Sequence, residues 1–193
     1  MNFFKKMFST KKEKENKDNE GNFEAIYSET YFNKRYLEQK NEDDLVEGSL
    51  KMIESYFIDN QIERIVDKPI NHPLNLDQVI QEGMGFQMYC NAFKLKDSQI
   101  MTFLALAFSD FLITTFDFKL YKDNEPEYPL RVMTLKYDKN GALLSLYPLE
   151  YSLKVLKNQA TFEDLYTKVE NHLQSMPDLK GFMDNFIKNQ EQG

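Results

Sequence analysis

Asp97-Ser98-Gln99-Ile100-Met101-Thr102-Phe103-Leu104-Ala105-Leu106-Ala107-Phe108-Ser109-Asp110-Phe111-Leu112-Ile113-Thr114-Thr115-Phe116 is the stretch whose reading decides the fold. Its polar start supplies a helix cap, and the residues that follow are apolar on nearly every side of a 3.6-residue period. A helix of that kind has no solvent face, so it belongs in the middle of a core. Ile100 to Phe116 is short of the roughly 20 apolar residues a membrane span prefers, and it carries Asp110, Ser109 and three Thr. A carboxylate at mid-span costs about 2.5–3.5 kcal/mol on insertion scales, which favours the interior of a globular unit.

Downstream the period changes from helical to alternating. Residues 116–122 and 130–137 read as strands. Asp138-Lys139-Asn140-Gly141 is a turn in which the glycine takes the left-handed position, and residues 142–147 return as a third strand. The expectation is a three-stranded antiparallel meander. Pro148 suits the first turn of a helix over residues 149–158, and Thr161-Phe162-Glu163-Asp164 has the shape of a capping box opening a helix to Met176. A last short helix begins at Pro177-Asp178.

Upstream, Asn41 to Asp44 caps a helix whose buried face is Leu45, Val46, Ser49, Met52, Ile53, Tyr56 and Phe57. Residues 23–39 show weaker helical spacing. Residues 61–75 form a connector with Pro69 and Pro73, and an extended piece is expected near Ile62–Val66. One further helix is expected from Asn75 or Asp77 to Phe93, with Val79, Ile80, Met84, Tyr89, Cys90 and Phe93 buried. Gly83 and Gly85 fall inside it at a cost of about 1 kcal/mol each, so they imply close approach of a neighbour. The small-residue stripe Ser98, Thr102, Ala105 and Ser109 is the expected partner surface. The fold class is therefore α+β, with helices packed around one central helix and a meander, then C-terminal helices. Residues 21–193 form one domain, preceded by a basic tip and tether over 1–20.

The net charge of −7 is unevenly spread: residues 1–18 hold six Lys against three acids, so the remainder carries −10. Phosphate binding needs clustered cations, and only Arg35, Arg64 and Arg131 occur beside 21 Lys. Nucleic acid is not an expected partner. One cysteine, Cys90, excludes an internal disulfide and a multi-cysteine metal site and suits a reducing, cytoplasmic setting. No secretory leader is legible in the first residues.

No motif for nucleophilic catalysis, phosphate cradling or zinc binding is present. His72 and His172 lack metal-ligand spacing, and Cys90 reads as a small buried hydrophobe. Asp110 stands among apolar neighbours at a helix edge. No catalytic, cofactor or metal residue is expected. Two acidic clusters remain as candidate contacts for a basic protein: Glu42, Asp43, Asp44 and Glu47, and Asp123, Glu125 and Glu127. The tip residues Phe3, Phe4, Lys5, Lys6 and Phe8 form an amphipathic hook for a membrane surface or a partner.

From Asp97 to Leu173 the order is buried helix, meander, then a Tyr147-Pro148-Leu149 junction into a helix with Lys154-Val155-Leu156-Lys157-Asn158. This arrangement resembles small bacterial α+β domains, some of them toxin-neutralising immunity proteins. The resemblance implies a binding protein without an active site and transfers no functional residue. The expectation is thus a non-enzymatic protein that sequesters a partner, with toxin immunity as its concrete version. The alternatives are a peripheral membrane adaptor using the N-terminus and an enzyme with a dispersed site. Neither partner identity nor oligomeric state is legible.

Overall fold

The computed structural model describes residues 29–40, 43–139 and 141–177. The tip residues Phe3, Phe4, Lys5, Lys6 and Phe8, Glu42 of the first acidic cluster and the expected helix after Pro177 lie outside them.

The helix α5, Asp97–Phe116, is the centre of the molecule. Ile100, Leu104, Ala105, Ala107 and Leu112 have no solvent exposure. Around it stand α2 (Asp43–Asp59), α3 (Pro73–Gln81), α4 (Phe86–Ala92) and α6 (Pro148–Leu156). By length and composition α5 would suffice to cross a membrane, but its apolar surface is taken up by these neighbours. The helix α7, Phe162–Ser175, lies against α3.

The fold is α+β, as expected. The three-stranded meander is present as β2 (Lys119–Asp123), β3 (Met133–Lys139) and β4 (Ala142–Leu146). A fourth strand extends it. After the short helix α1, Glu29–Arg35, the chain turns into β1, Tyr36–Gln39, which pairs antiparallel with β2 and gives the sheet order β1-β2-β3-β4. The helical spacing read across residues 23–39 therefore stops at Arg35. Four residues are too few for alternation to reveal a strand; β1 exists because β2 offers an edge. The first two strands of the meander also start later than expected: α5 runs through Phe116, and Pro129–Val132 is a 3-10 turn ahead of β3.

The inner sheet face sends Leu120, Leu135, Tyr137, Leu144 and Leu146 into the core. The outer face is also buried in part, but with different chemistry. Tyr36, Asp123, Thr134 and Lys136 are all buried. The Lys136 ammonium sits 3.9 Å from the Tyr36 ring centroid and donates to Ser145 Oγ at 2.8 Å. Such a cation–π contact replaces part of the hydration the ammonium loses.

The single helix expected from about Asn75 to Phe93 is two helices. Gly83 and Gly85 lie between α3 and α4 with φ of +75° and +91°, a conformation an L side chain rarely adopts. They do not meet the small stripe on α5. A Cβ at Gly83 would lie 2.8 Å from Tyr56 Oη and 3.0 Å from Ile62 Cδ1, so the close neighbours are α2 and the segment after it. Tyr56 explains the break: its hydroxyl donates to the Glu82 carbonyl and accepts from Gly85 N–H at 3.0 Å. With the helix interrupted, the phase of the buried face shifts. Met84 and Phe93, expected inside, are exposed, as is Leu45 on α2.

Candidate functional site

Side-chain amides organise the surface around residues 62–78. The chain from Ile62 to Ile70 has no strand or helix; the extended piece expected there is irregular. Asn75 and Gln78, on consecutive turns of α3, hold it. Asn75 accepts from Val66 N–H at 2.9 Å and donates to Val66 O at 2.8 Å, as a neighbouring strand would. Gln78 repeats the pattern, accepting from Ile65 N–H at 3.1 Å and donating to Glu63 O at 2.7 Å. Both amides are buried, so each donor and acceptor must be met, and the geometry meets them. Asn71 extends the network by donating to Ala107 O on α5 at 2.9 Å and to Asp110 Oδ2 at 3.0 Å.

This fastened segment and the last turns of α2 enclose an open groove of about 540 Å3. Phe57, Ile58, Ile62 and Ile70 give it apolar walls; Glu54, Glu63, Arg64 and Asp67 ring it. Ile58 is 68% exposed and Ile65, just beyond the groove, 59% exposed. Among the described residues Arg64 is engaged by Asp67 at 3.5 Å, while Glu54 and Glu63 have no cationic partner. The groove therefore mixes apolar and polar walls and is negative at its lip.

The acidic residues nominated from sequence fare differently. Asp123 is no surface contact. It is 2% exposed and takes a forked ion pair from Arg35, with Nε at 3.0 Å and Nη2 at 2.9 Å, while Oδ1 also accepts from Glu125 N–H. A carboxylate so held fixes β1 and its preceding helix onto β2 and is closed to a partner. Glu127 pairs with Arg131, which also engages Glu150. Glu47 pairs with Lys51 one turn away on α2. Glu125, Asp43 and Asp44 are exposed. The two clusters do not converge: Asp123 stands opposite Tyr36, at one end of the β1–β2 ladder, while Asp43 follows Gln39, at the other end.

Titratable groups with displaced affinities are scattered rather than gathered. Burial pushes the Cys90 thiol up to about 12, which keeps it protonated and unreactive. Burial pushes the Asp77 carboxyl up as well. Two hydrogen bonds partly offset that: Asp77 accepts from Phe162 N–H at 2.7 Å and Glu163 N–H at 2.8 Å, capping the first turn of α7. His72 caps α3, its Nδ1 accepting from Leu74 N–H, and its ring rests on Phe111 and Tyr166. Burial lowers its pKa while Glu170 opposes the shift. Burial raises Asp110 and the Asn71 amide pulls it back. His172 is exposed on α7. Among the described residues no group of three His, Cys, Asp or Glu is placed to hold a metal ion. A smaller cleft of about 340 Å3 beside Asp77 and Thr161 has its one buried carboxylate already bound to backbone.

Sequence reasoning missed the groove. One signal for it was present: Ile58 is apolar yet out of phase with the buried stripe of α2. The rest comes from a loop whose path depends on α3. No protein-family model, curated protein or solved structure matches the chain.

Proposed function

We propose that the protein binds another protein by occlusion, without catalysis, and that its partner presents a basic, apolar segment. The groove between α2 and the 62–70 segment carries this reading. It combines the exposed Ile58 with Glu54 and Glu63, which have no cationic partner among the described residues, and so offers both apolar surface and charge for a protein contact. The acidic remainder of the chain would speed encounter with a positively charged surface. The resemblance to immunity domains gives the concrete version, neutralisation of a toxin in the cytoplasm.

The test is co-expression with the toxic product of an adjacent gene, scored by growth and by affinity of the purified pair. The intact chain restores growth, and its affinity falls as salt is raised. Ile58→Asp and Glu63→Lys, both at exposed positions, abolish rescue while the fold is kept. Rescue undiminished in both variants would remove the groove from the account, and absence of any rescue or complex would remove the function.

A further inference from the structure

His72 stands where the core, the start of α3 and one wall of the groove meet. We propose that it is a proton switch for the groove: a proton taken up at Nδ1 frees the first turn of α3, and with it the 62–70 segment, so that the binding surface loses its shape in mild acid. The consequence for a partner rests on the reading of the groove as the partner site.

The geometry is that of a neutral ring. His72 is the N-cap of α3, and its Nδ1 accepts from Leu74 N–H at 3.3 Å, so the ring carries its hydrogen on Nε2. Leu74 N–H is one of the donors a helix cannot satisfy within itself, and Nδ1 is its partner. An imidazolium donates from both nitrogens and accepts at neither, so protonation sets N–H against N–H and the cap is lost. The ring is held on two sides, its centroid 5.3 Å from that of Phe111 on α5 and 5.8 Å from that of Tyr166 on α7. Among the charged groups around it, Glu170 of α7 is the one that favours the cation. Tyr166 donates to that carboxylate at 2.7 Å and keeps its own proton throughout. Asp110 of α5 is held by Asn71, Asp77 of α3 by the start of α7, and Asp67 of the connector by Arg64, while Lys68 is exposed. Burial holds the imidazole below its ordinary 6.5, so the ring is neutral at pH 7 and charges as the medium turns acid.

The cap and the groove are joined over a few residues. His72 N–H donates to Pro69 O at 3.1 Å, and Ile70, two residues before His72, is a groove wall. Asn75, three residues after it, bonds Val66 N–H and O and reaches Pro69 O and Ile70 O at 3.3 Å. Those bonds need the Asn75 amide to be placed by the first turn of α3. When that turn frays, residues 62–70 lose hydrogen bonds that their own backbone does not supply. α5 has no such dependence, because its backbone bonds lie within the helix. The core therefore outlasts the groove as the proton binds.

Amide hydrogen exchange of the full chain at about pH 7.5 and 5.5 tests this, read as protection factors so that the intrinsic pH dependence of exchange cancels. Protection of residues 62–70 should fall about fivefold at the lower pH while α5 keeps its own. His72→Asn, which retains an acceptor and cannot titrate, should hold the segment equally at both values, and His72→Ala should release it at both. Glu170→Gln should move the response to lower pH, and His172→Asn should leave it unchanged. A response that persists in His72→Asn, or one that loosens α5 and the segment by the same factor, overturns the proposal. An NMR titration of the unaltered chain needs no variant: the His72 ring and the amides of residues 62–70 should share one midpoint below pH 6.5, and separate midpoints overturn the switch. Failure of the two readings is distinguishable. If Ile58→Asp and Glu63→Lys abolish partner binding while the segment ignores His72, the switch is wrong and the binding reading stands. If the segment follows His72 but those variants bind the partner normally, the reverse holds.

Discussion

Helix α5 and the segment from Ile62 to Gln78 are both fixed in place, but by opposite means. α5 satisfies its own backbone and surrounds itself with apolar side chains, so its position depends on shape and on area removed from water. The 62–70 segment satisfies little of its own backbone. Asn75 and Gln78 supply the missing hydrogen bonds, and Asn71 ties the same region to α5. The first arrangement tolerates many apolar sequences. The second depends on particular amides at particular positions, because an orphaned buried polar group costs about 1–3 kcal/mol. The groove stands on the second arrangement, so its shape depends on three side chains rather than on the bulk of the core.

Truncation of the core helix is the largest perturbation on the shape-dependent side. Leu104 is fully buried, and Leu104→Ala should cost about 3–5 kcal/mol, read as a lower urea midpoint with an unchanged slope. Loss below about 1 kcal/mol would mean that α5 is not the centre of packing. Asn75→Ala should cost less, about 2–3 kcal/mol, because the Val66 groups it serves lie closer to water than α5 does. The sharper contrast is local. Leu104→Ala should lower protection everywhere by a common factor, whereas Asn75→Ala should release residues 62–70 first in hydrogen exchange. Uniform release in both variants would erase the distinction.

The smallest expected effect is a pH dependence at the junction of the two regions. His72 caps α3 while its ring rests on Phe111 of α5, and burial lowers its pKa below 6.5 in the folded state. Below pH 6.5 the unfolded chain takes up the proton more readily than the folded one. Stability contributed by neutral His72 is therefore present above that pH and lost as pH falls through the folded value. Glu170 opposes the shift, and Asp77 and Asp110, raised by burial, act with opposite sign at lower pH. Comparison with His72→Asn, which retains a capping acceptor, isolates the histidine. The difference in stability between the two proteins should change between pH 7.5 and 5.5; a constant difference over that range removes the assignment.

What was legible in the sequence is what neighbouring residues decide among themselves. The interior helix follows from its own composition. The Gly141 turn is visible in four consecutive residues, and there Asp138 accepts from Gly141 N–H at 2.8 Å. Pro148 opens α6, and Thr161 caps α7 by accepting from Asp164 N–H at 3.1 Å. The α3–α4 break was misread although both glycines were visible, because the reason for it, the Tyr56 hydroxyl, stands nearly thirty residues upstream.

Sequence by itself determined the α+β class, the central helix, the meander and the starts of α2, α5, α6 and α7, because each of these is settled by periodicity and capping within a few residues; α3 starts earlier than expected, at Pro73, and the start of α4 was not legible. Only the tertiary structure decided that β1 joins the sheet, that Asp123 belongs to Arg35 across 88 residues, and that α2 and the 62–70 segment enclose a groove. Those features are pairings between distant groups. A hydrogen bond or ion pair forms where the packed backbone brings donor and acceptor within about 3 Å, and no local pattern encodes which distant group that will be.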